Sequence, residues 1–228
     1  MHDTAMVLGS AFFEIYCSNW NIVLEVGSMD INGSLRSTCP SGVQYLGIDV
    51  EHGKSVDLVV QVGKPLPLRD NFADAIVSSS QFEHDDFFWE TFVEFARVVR
   101  PGGFIYINAP SNGTYHRHPS DNWRFFPDCG QALARWARKQ GHDIDLVESF
   151  IADKRKDIWN DFVAIFRVGP SNATLPDKRL SDIFPSRNVW KLGAVMPDRQ
   201  SGNTEDIDLI NSMKVQISAL QNKESVSW

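Results

Sequence analysis

The sequence predicts an α/β fold: a three-layer, doubly wound arrangement around a mostly parallel sheet. Three observations carry that prediction. An apolar run, Ile22, Val23, Leu24 and Val26, stops at Gly27, where a backbone without Cβ turns sharply and lets a ligand approach. Ile31, Leu35 and Cys39 follow at helical spacing, so the unit reads strand, Gly-rich turn, helix, which is how a nucleotide-type cofactor is commonly held. Apolar runs and helical periodicities then alternate to about residue 168.

At 228 residues and 43% hydrophobic content the chain suits one such domain, residues 1–169, with an appendage over 170–228. Its net charge of −7 argues against a nucleic-acid partner held through phosphates, which needs a basic face. Cys17, Cys39 and Cys129 are scattered and lack C-x-x-C spacing, so neither a disulfide frame nor a zinc site is expected. No apolar stretch is long enough to span a bilayer, and the expectation is a soluble, cytoplasmic protein. Glycosylation-type triplets, among them Asn172-Ala173-Thr174, are then read as chance.

In chain order, residues 5–20 predict a helix packed on the sheet edge, with Leu8, Phe12, Phe13 and Tyr16 as its apolar residues. After the Gly27 unit, Val43 to Asp49 predicts a second strand ending in an acid. A carboxylate there, some twenty residues past the turn, can accept hydrogen bonds from ribose hydroxyls. Ser55 to Val62 predicts a third strand running into the turn-rich Gly63-Lys64-Pro65-Leu66-Pro67. Phe72 to Ser78 reads as the central fourth strand, with Ser78-Ser79-Ser80-Gln81 at its carboxyl end, where open α/β sheets bind ligands.

Glu83-His84-Asp85-Asp86 is expected to open a helix carrying Phe88, Phe92, Phe95, Ala96 and Val99. Pro101-Gly102-Gly103 ends it, and Phe104 to Asn108 supplies the fifth strand. Residues 109–127 form a long polar and aromatic loop, too aromatic for a disordered linker. A helix from Asp128 to Gly141 and strands over 144–150 and 159–168 complete the domain. Beyond it, residues 170–203 read as irregular. Ile210, Met213, Ile217 and Leu220 mark a narrow seam on a helix expected to dock on its own domain or to form a homo-oligomer.

The missing glycines narrow the cofactor. A dinucleotide-binding turn, G-x-G-x-x-G, needs glycines where this chain has Met29 and Asn32, so a pyrophosphate would meet a side chain. With Glu25 before Gly27 and Asp49 beyond it, the pattern resembles motif I of the class I S-adenosylmethionine-dependent methyltransferases. It is closest to the type 11-like group, whose later signals read here Pro65-Leu66-Pro67, Glu83-His84 and Arg100-Pro101-Gly102-Gly103. The resemblance implies a Rossmann-like seven-stranded sheet with an antiparallel last strand, and S-adenosyl-L-methionine as cofactor. It implies cofactor contacts from Glu25, Gly27, Ser28, Met29, Gly33, Asp49, Val50, Ser79 and Ser80. Where relatives carry an acid for the adenine, this chain has Val62.

The loop segment from His116 to Phe125 resembles segments of methyltransferases in bacterial glycan modification, which implies a small-molecule acceptor such as a sugar hydroxyl. Methylation of another metabolite at nitrogen or oxygen, and a non-catalytic cofactor-binding scaffold, are the alternatives. His116, His118 and Asp121 are read as a base with its orienting carboxylate, against a metal-binding set or plain loop architecture. Gln81, His84, Tyr115, Trp123 and Arg124 are expected at the acceptor, and no residue is assigned to a metal.

Overall fold

Among the described residues, eight strands build a single sheet in the order β3-β2-β1-β4-β5-β7-β6-β8. The parallel half comprises β1 (Ile22–Val26), β2 (Gln44–Asp49), β3 (Leu58–Val59), β4 (Ala73–Ser79) and β5 (Val99–Pro110). The antiparallel half adds β6 (Ile144–Ala152), β7 (Asp161–Val168) and β8 (Ser186–Lys191). Chain order reverses between β1 and β4, and Leu24 lies between Leu46 and Ile76 there. This computed structural model describes residues 2–170 and 175–225, so the Asn172-Ala173-Thr174 triplet lies outside the described residues.

Side-chain alternation along the strands decides the layers. On β5, Ile105 and Ile107 join the core under α2 (Phe88–Val98) and α3 (Asp128–Lys139), together with Phe92, Phe95, Leu133 and Ala137. Phe104 and Tyr106 face the opposite layer, where α1 (Asp3–Tyr16) packs Leu8, Phe12, Phe13 and Tyr16. Phe12 anchors that side, its ring centroid 4.8 Å from Tyr106 and 5.6 Å from Trp20. The N-terminal helix therefore covers the middle of a sheet face and not an edge, because its apolar stripe is wide enough to span several strands.

That placement explains a further departure. The expected helix after Gly27 is replaced by one 3-10 turn, Leu35–Thr38, whose Ser34 hydroxyl accepts the Arg36 N–H at 3.2 Å. Gly33 and Pro40 close in on the segment, Ile31 stays 58% exposed, and of its apolar residues at helical spacing Leu35 alone is buried, close against Gly9 of α1. The layer that helix would have filled belongs to α1.

Three other boundaries move. β3 shrinks to two residues; just ahead of it Asp57 gives its N–H to the Gly47 carbonyl at 2.8 Å, while its carboxylate accepts the Gly47 N–H at 2.7 Å and pairs with Arg36. Glu83 to Asp86 form a turn ahead of α2 and not its first turn; Asp85 uses its carboxylate on the Phe87 N–H, the Thr91 hydroxyl and the Gln81 amide. The sheet has eight strands where seven were expected, since residues beyond 170 contribute α4 (Leu180–Ile183) and β8. Buried Glu148 holds this addition, accepting from the Tyr16 hydroxyl at 2.8 Å and the Leu180 and Ser181 N–H groups at 3.0 and 3.1 Å.

The last helix, α5 (Glu205–Ser225), is tied down at its first turn. Glu205 accepts the Lys154 N–H and the Asn160 amide, Asp206 meets Asn112 and Lys154, and Asp208 pairs with Arg187. Ile210, Met213, Ile217 and Leu220 are all exposed, so the seam does not dock on its own domain. Among the described residues no helix is long and apolar enough to cross a membrane.

Candidate active site

A cavity of about 810 Å³ opens at the carboxyl ends of β1, β2 and β4. Its floor is the β1 turn. Gly27 adopts φ +80°, and a Cβ built there would come within 2.5 Å of the Gln81 side chain, so the turn and the β4 exit pack against each other only because Gly27 is bare. The Gly27 and Ser28 N–H groups bond the Ile48 carbonyl at 2.9 and 3.2 Å. Met29 N–H goes to the Asp49 carboxylate at 2.9 Å, and Asp49 also accepts the Val50 N–H at 2.7 Å. One strand end thus shapes the turn, while the carboxylate keeps lone pairs toward the cavity.

Glu25 is buried on the same wall. Burial pushes its carboxyl up to about 7, against the opposing pull of the Tyr45 and Ser34 hydroxyls, the Leu35 N–H and Arg36. Gly33, Ser79, Ser80 and Gln81 complete this end. Every residue expected at the cofactor lines the cavity, as do Gln81, His84, His116 and His118.

At the far end three imidazoles converge: His84 lies 5.1 Å from His116 and 6.4 Å from His118, ring centre to ring centre. His84 Nδ1 contacts the Ser120 carbonyl, and the Ser120 hydroxyl returns a bond to the His84 carbonyl at 3.1 Å. Burial, with His116 and His118 alongside, holds the His84 ring below the ordinary histidine range despite the Ser120 carbonyl. His116 Nδ1 lies 3.2 Å from the Thr114 carbonyl and 3.4 Å from Asp121. His118 makes no ring hydrogen bond among the described residues.

Asp121, Tyr115, Trp123 and Arg124 do not line the cavity. The Arg124 guanidinium forks onto Asp121 at 2.5 and 2.8 Å, and Asp121 also accepts the His116 N–H at 2.8 Å. Arg124 holds the Asp121 carboxyl down at about 2, with burial opposing. The pair fixes the loop, and Asp121 reaches the site through His116. Trp123 packs on Phe88 and Trp89 and donates its indole N–H to the Asp85 carbonyl at 2.9 Å, while Tyr115 is 74% exposed.

Sequence reasoning did not assign three wall residues to the site. Glu83 is 1% exposed, its carboxyl pushed up to about 8 by burial. Its carbonyl accepts the Asn122 and Trp123 N–H groups and so ties the loop down. Trp159 packs edge-on to His116 at 5.1 Å. His2 stacks on Trp159 at 5.8 Å, with Nε2 at 3.1 Å from buried Asp161 and Nδ1 at 3.3 Å from Asp157. The Glu83-His84 adjacency was the available signal for the first; His2 had none.

Comparison with known proteins agrees with this architecture. A family described as a methyltransferase domain matches residues 14–107. An uncharacterized methyltransferase of Mycobacterium avium is 30% identical over 114 residues, covering 45% of each chain. One from Mycobacterium leprae is 26% identical over 157 residues, 61% of this chain and 56% of that one. The chain thus spans about half the length of the curated relatives it matches. Among solved structures, the Burkholderia thailandensis 1,6-didemethyltoxoflavin-N1-methyltransferase, with S-adenosylhomocysteine bound, superposes with a TM-score of 0.56 at 16% identity over 73% of this chain and 79% of that one. The [4+2]-cyclase SpnF gives 0.53 at 14% identity over 71% and 80%. Residues 14–107 thus match a methyltransferase domain, and the sheet has the Rossmann-like fold of these solved structures.

Proposed function

We propose that the chain is an S-adenosylmethionine-dependent methyltransferase acting on a small molecule, through a hydroxyl of a sugar or glycan precursor. The observation that carries this reading is continuity: the Gly27 turn and Asp49 share one cavity with His116 and His118. The residues fit the cofactor. Asp49 stands where ribose hydroxyls would be bound, buried Glu25 suits an ammonium group, and Met29 stands where a pyrophosphate would need glycine.

When bound, the cofactor supplies a methyl carbon on a positively charged sulfur, and its displacement leaves a neutral thioether. The chain's own share is alignment, exclusion of water and movement of one proton. A hydroxyl acceptor must lose its proton as its oxygen bonds to carbon, and His118, free of ring hydrogen bonds, receives it. His116 lies beside it, and Asp121 and Arg124 act as positioning residues for that loop.

One fold neighbour is named an N1-methyltransferase and another a cyclase, so the fold alone does not choose the reaction. Methylation of a metabolite nitrogen is the alternative; the three converging histidines favour oxygen, because an already neutral amine needs no base. The partners on this reading are the acceptor, not nucleic acid, and a second copy of the chain along the α5 seam. Three free cysteines suit a cytoplasmic setting.

Calorimetric titration with S-adenosylmethionine and S-adenosylhomocysteine tests the reading. Both bind, and Asp49→Ala weakens both by about tenfold to a hundredfold, the equivalent of losing hydrogen bonds to a charged group. Absence of binding to either compound overturns it.

A further inference from the structure

At the acceptor end Glu83 has a buried, uncommitted oxygen among the described residues. Asp85 is taken by Phe87, Thr91 and Gln81, and Asp121 by Arg124 and His116. The Glu83 side chain is almost wholly buried on the cavity wall, its Oε2 has no hydrogen-bond partner, and its Oε1 lies 3.6 Å from His84 Nε2, beyond hydrogen-bond reach.

The neighbouring rings explain what that carboxylate faces. A carbonyl oxygen only accepts, so the Ser120 contact assigns the proton of a neutral His84 to Nδ1 and leaves a lone pair on Nε2. The same logic holds for His116, whose Nδ1 faces the Thr114 carbonyl and the Asp121 carboxylate. Two lone-pair nitrogens then meet a carboxyl oxygen that has no partner among the described residues, and once Glu83 ionises no donor lies among them. One potential ligand atom from each of Glu83, His84 and His116, a ring nitrogen or a carboxylate oxygen, lies within 4.8 Å of the other two. Imidazoles that ligate metals characteristically give their second N–H to a backbone carbonyl or a carboxylate, which is the arrangement seen here.

We propose that Glu83, His84 and His116 form a binding site for a divalent first-row transition ion. One carboxylate with two imidazoles selects ions of the zinc, manganese or iron class over magnesium or calcium, which prefer all-oxygen shells. The cavity leaves the remaining coordination positions open. The site stands on the cluster alone; its role, holding the acceptor hydroxyl oxygen and easing loss of that proton to His118, rests on the methyl-transfer reading.

The test uses the full chain, stripped with chelator and titrated with Zn²⁺ by calorimetry and with Co²⁺ by visible absorption, with S-adenosylhomocysteine titrated in parallel. One equivalent of metal binds, Co²⁺ develops ligand-field bands, and Glu83→Gln or His84→Ala weakens binding by about a hundredfold or more, beyond the loss that follows removal of an outer-shell partner. The His142→Ala control, outside the cavity, leaves it unchanged. Thermal unfolding and retained S-adenosylhomocysteine affinity establish that each variant is folded. No stoichiometric metal on a chain that binds S-adenosylhomocysteine, or metal binding that survives both cluster substitutions, overturns the site and leaves methyl transfer standing. Metal binding without any S-adenosylhomocysteine binding supports the site and overturns the reading of its role.

Discussion

Glu25 sets burial against ligand charge. With its carboxyl pushed up to about 7, the free protein carries it protonated below that pH and ionised above it. A ligand presenting an ammonium group favours the ionised form, so binding below pH 7 must release a proton. Affinity for S-adenosylmethionine therefore rises between pH 6 and 8, approaching about tenfold per pH unit on the acid side. Glu25→Gln flattens that profile, which calorimetry at three pH values reads directly. For His118→Ala, turnover falls by about a hundred- to ten-thousand-fold with S-adenosylhomocysteine affinity unchanged; a rate within twofold of the parent would remove its role as base. Gly27 and Asp49 were legible because a turn and a strand end have fixed spacings. Trp123 and Arg124 were not, because their orientation is set by Glu83, Asp85 and Asp121, partners that no spacing rule connects to them, and Tyr115 is left exposed.

Among the elements, β8 shows where periodicity ran out. Val189 is buried and Trp190 partly so, but the sequence displays them as isolated apolar residues amid proline and charge, and the ladder with β6 is irregular between Ser149 and Ile151. The contact that secures this region, Glu148 with Tyr16, Leu180 and Ser181, joins residues 132 and 32 or more positions apart. Glu148→Ala leaves a hydroxyl and two N–H groups buried without an acceptor and lowers unfolding free energy by about 3 kcal/mol or more, measurable by urea denaturation. The absent helix after Gly27 teaches the same lesson from the other side. Ile31, Leu35 and Cys39 have helical spacing, yet α1 already occupies the surface such a helix would cover.

For the whole molecule, the region past residue 170 divides into a part that completes the sheet and a part that projects. A chain ending at Gly169 uncovers Val147 and Phe150 beside α4 and β8, and its melting temperature falls. A chain ending at Asp208 keeps α4, β8 and the anchored first turn of α5, so its melting temperature holds while its mass in solution drops to that of a single copy, as light scattering would show. A parent that already runs as one copy would dismiss pairing through α5. The opposite terminus has its own consequence. His2, stacked on Trp159 and bonded to Asp161, delivers the start of the chain to the cavity wall. Any segment that precedes His2 therefore leaves from the cavity wall, and an affinity handle attached there would crowd the cavity.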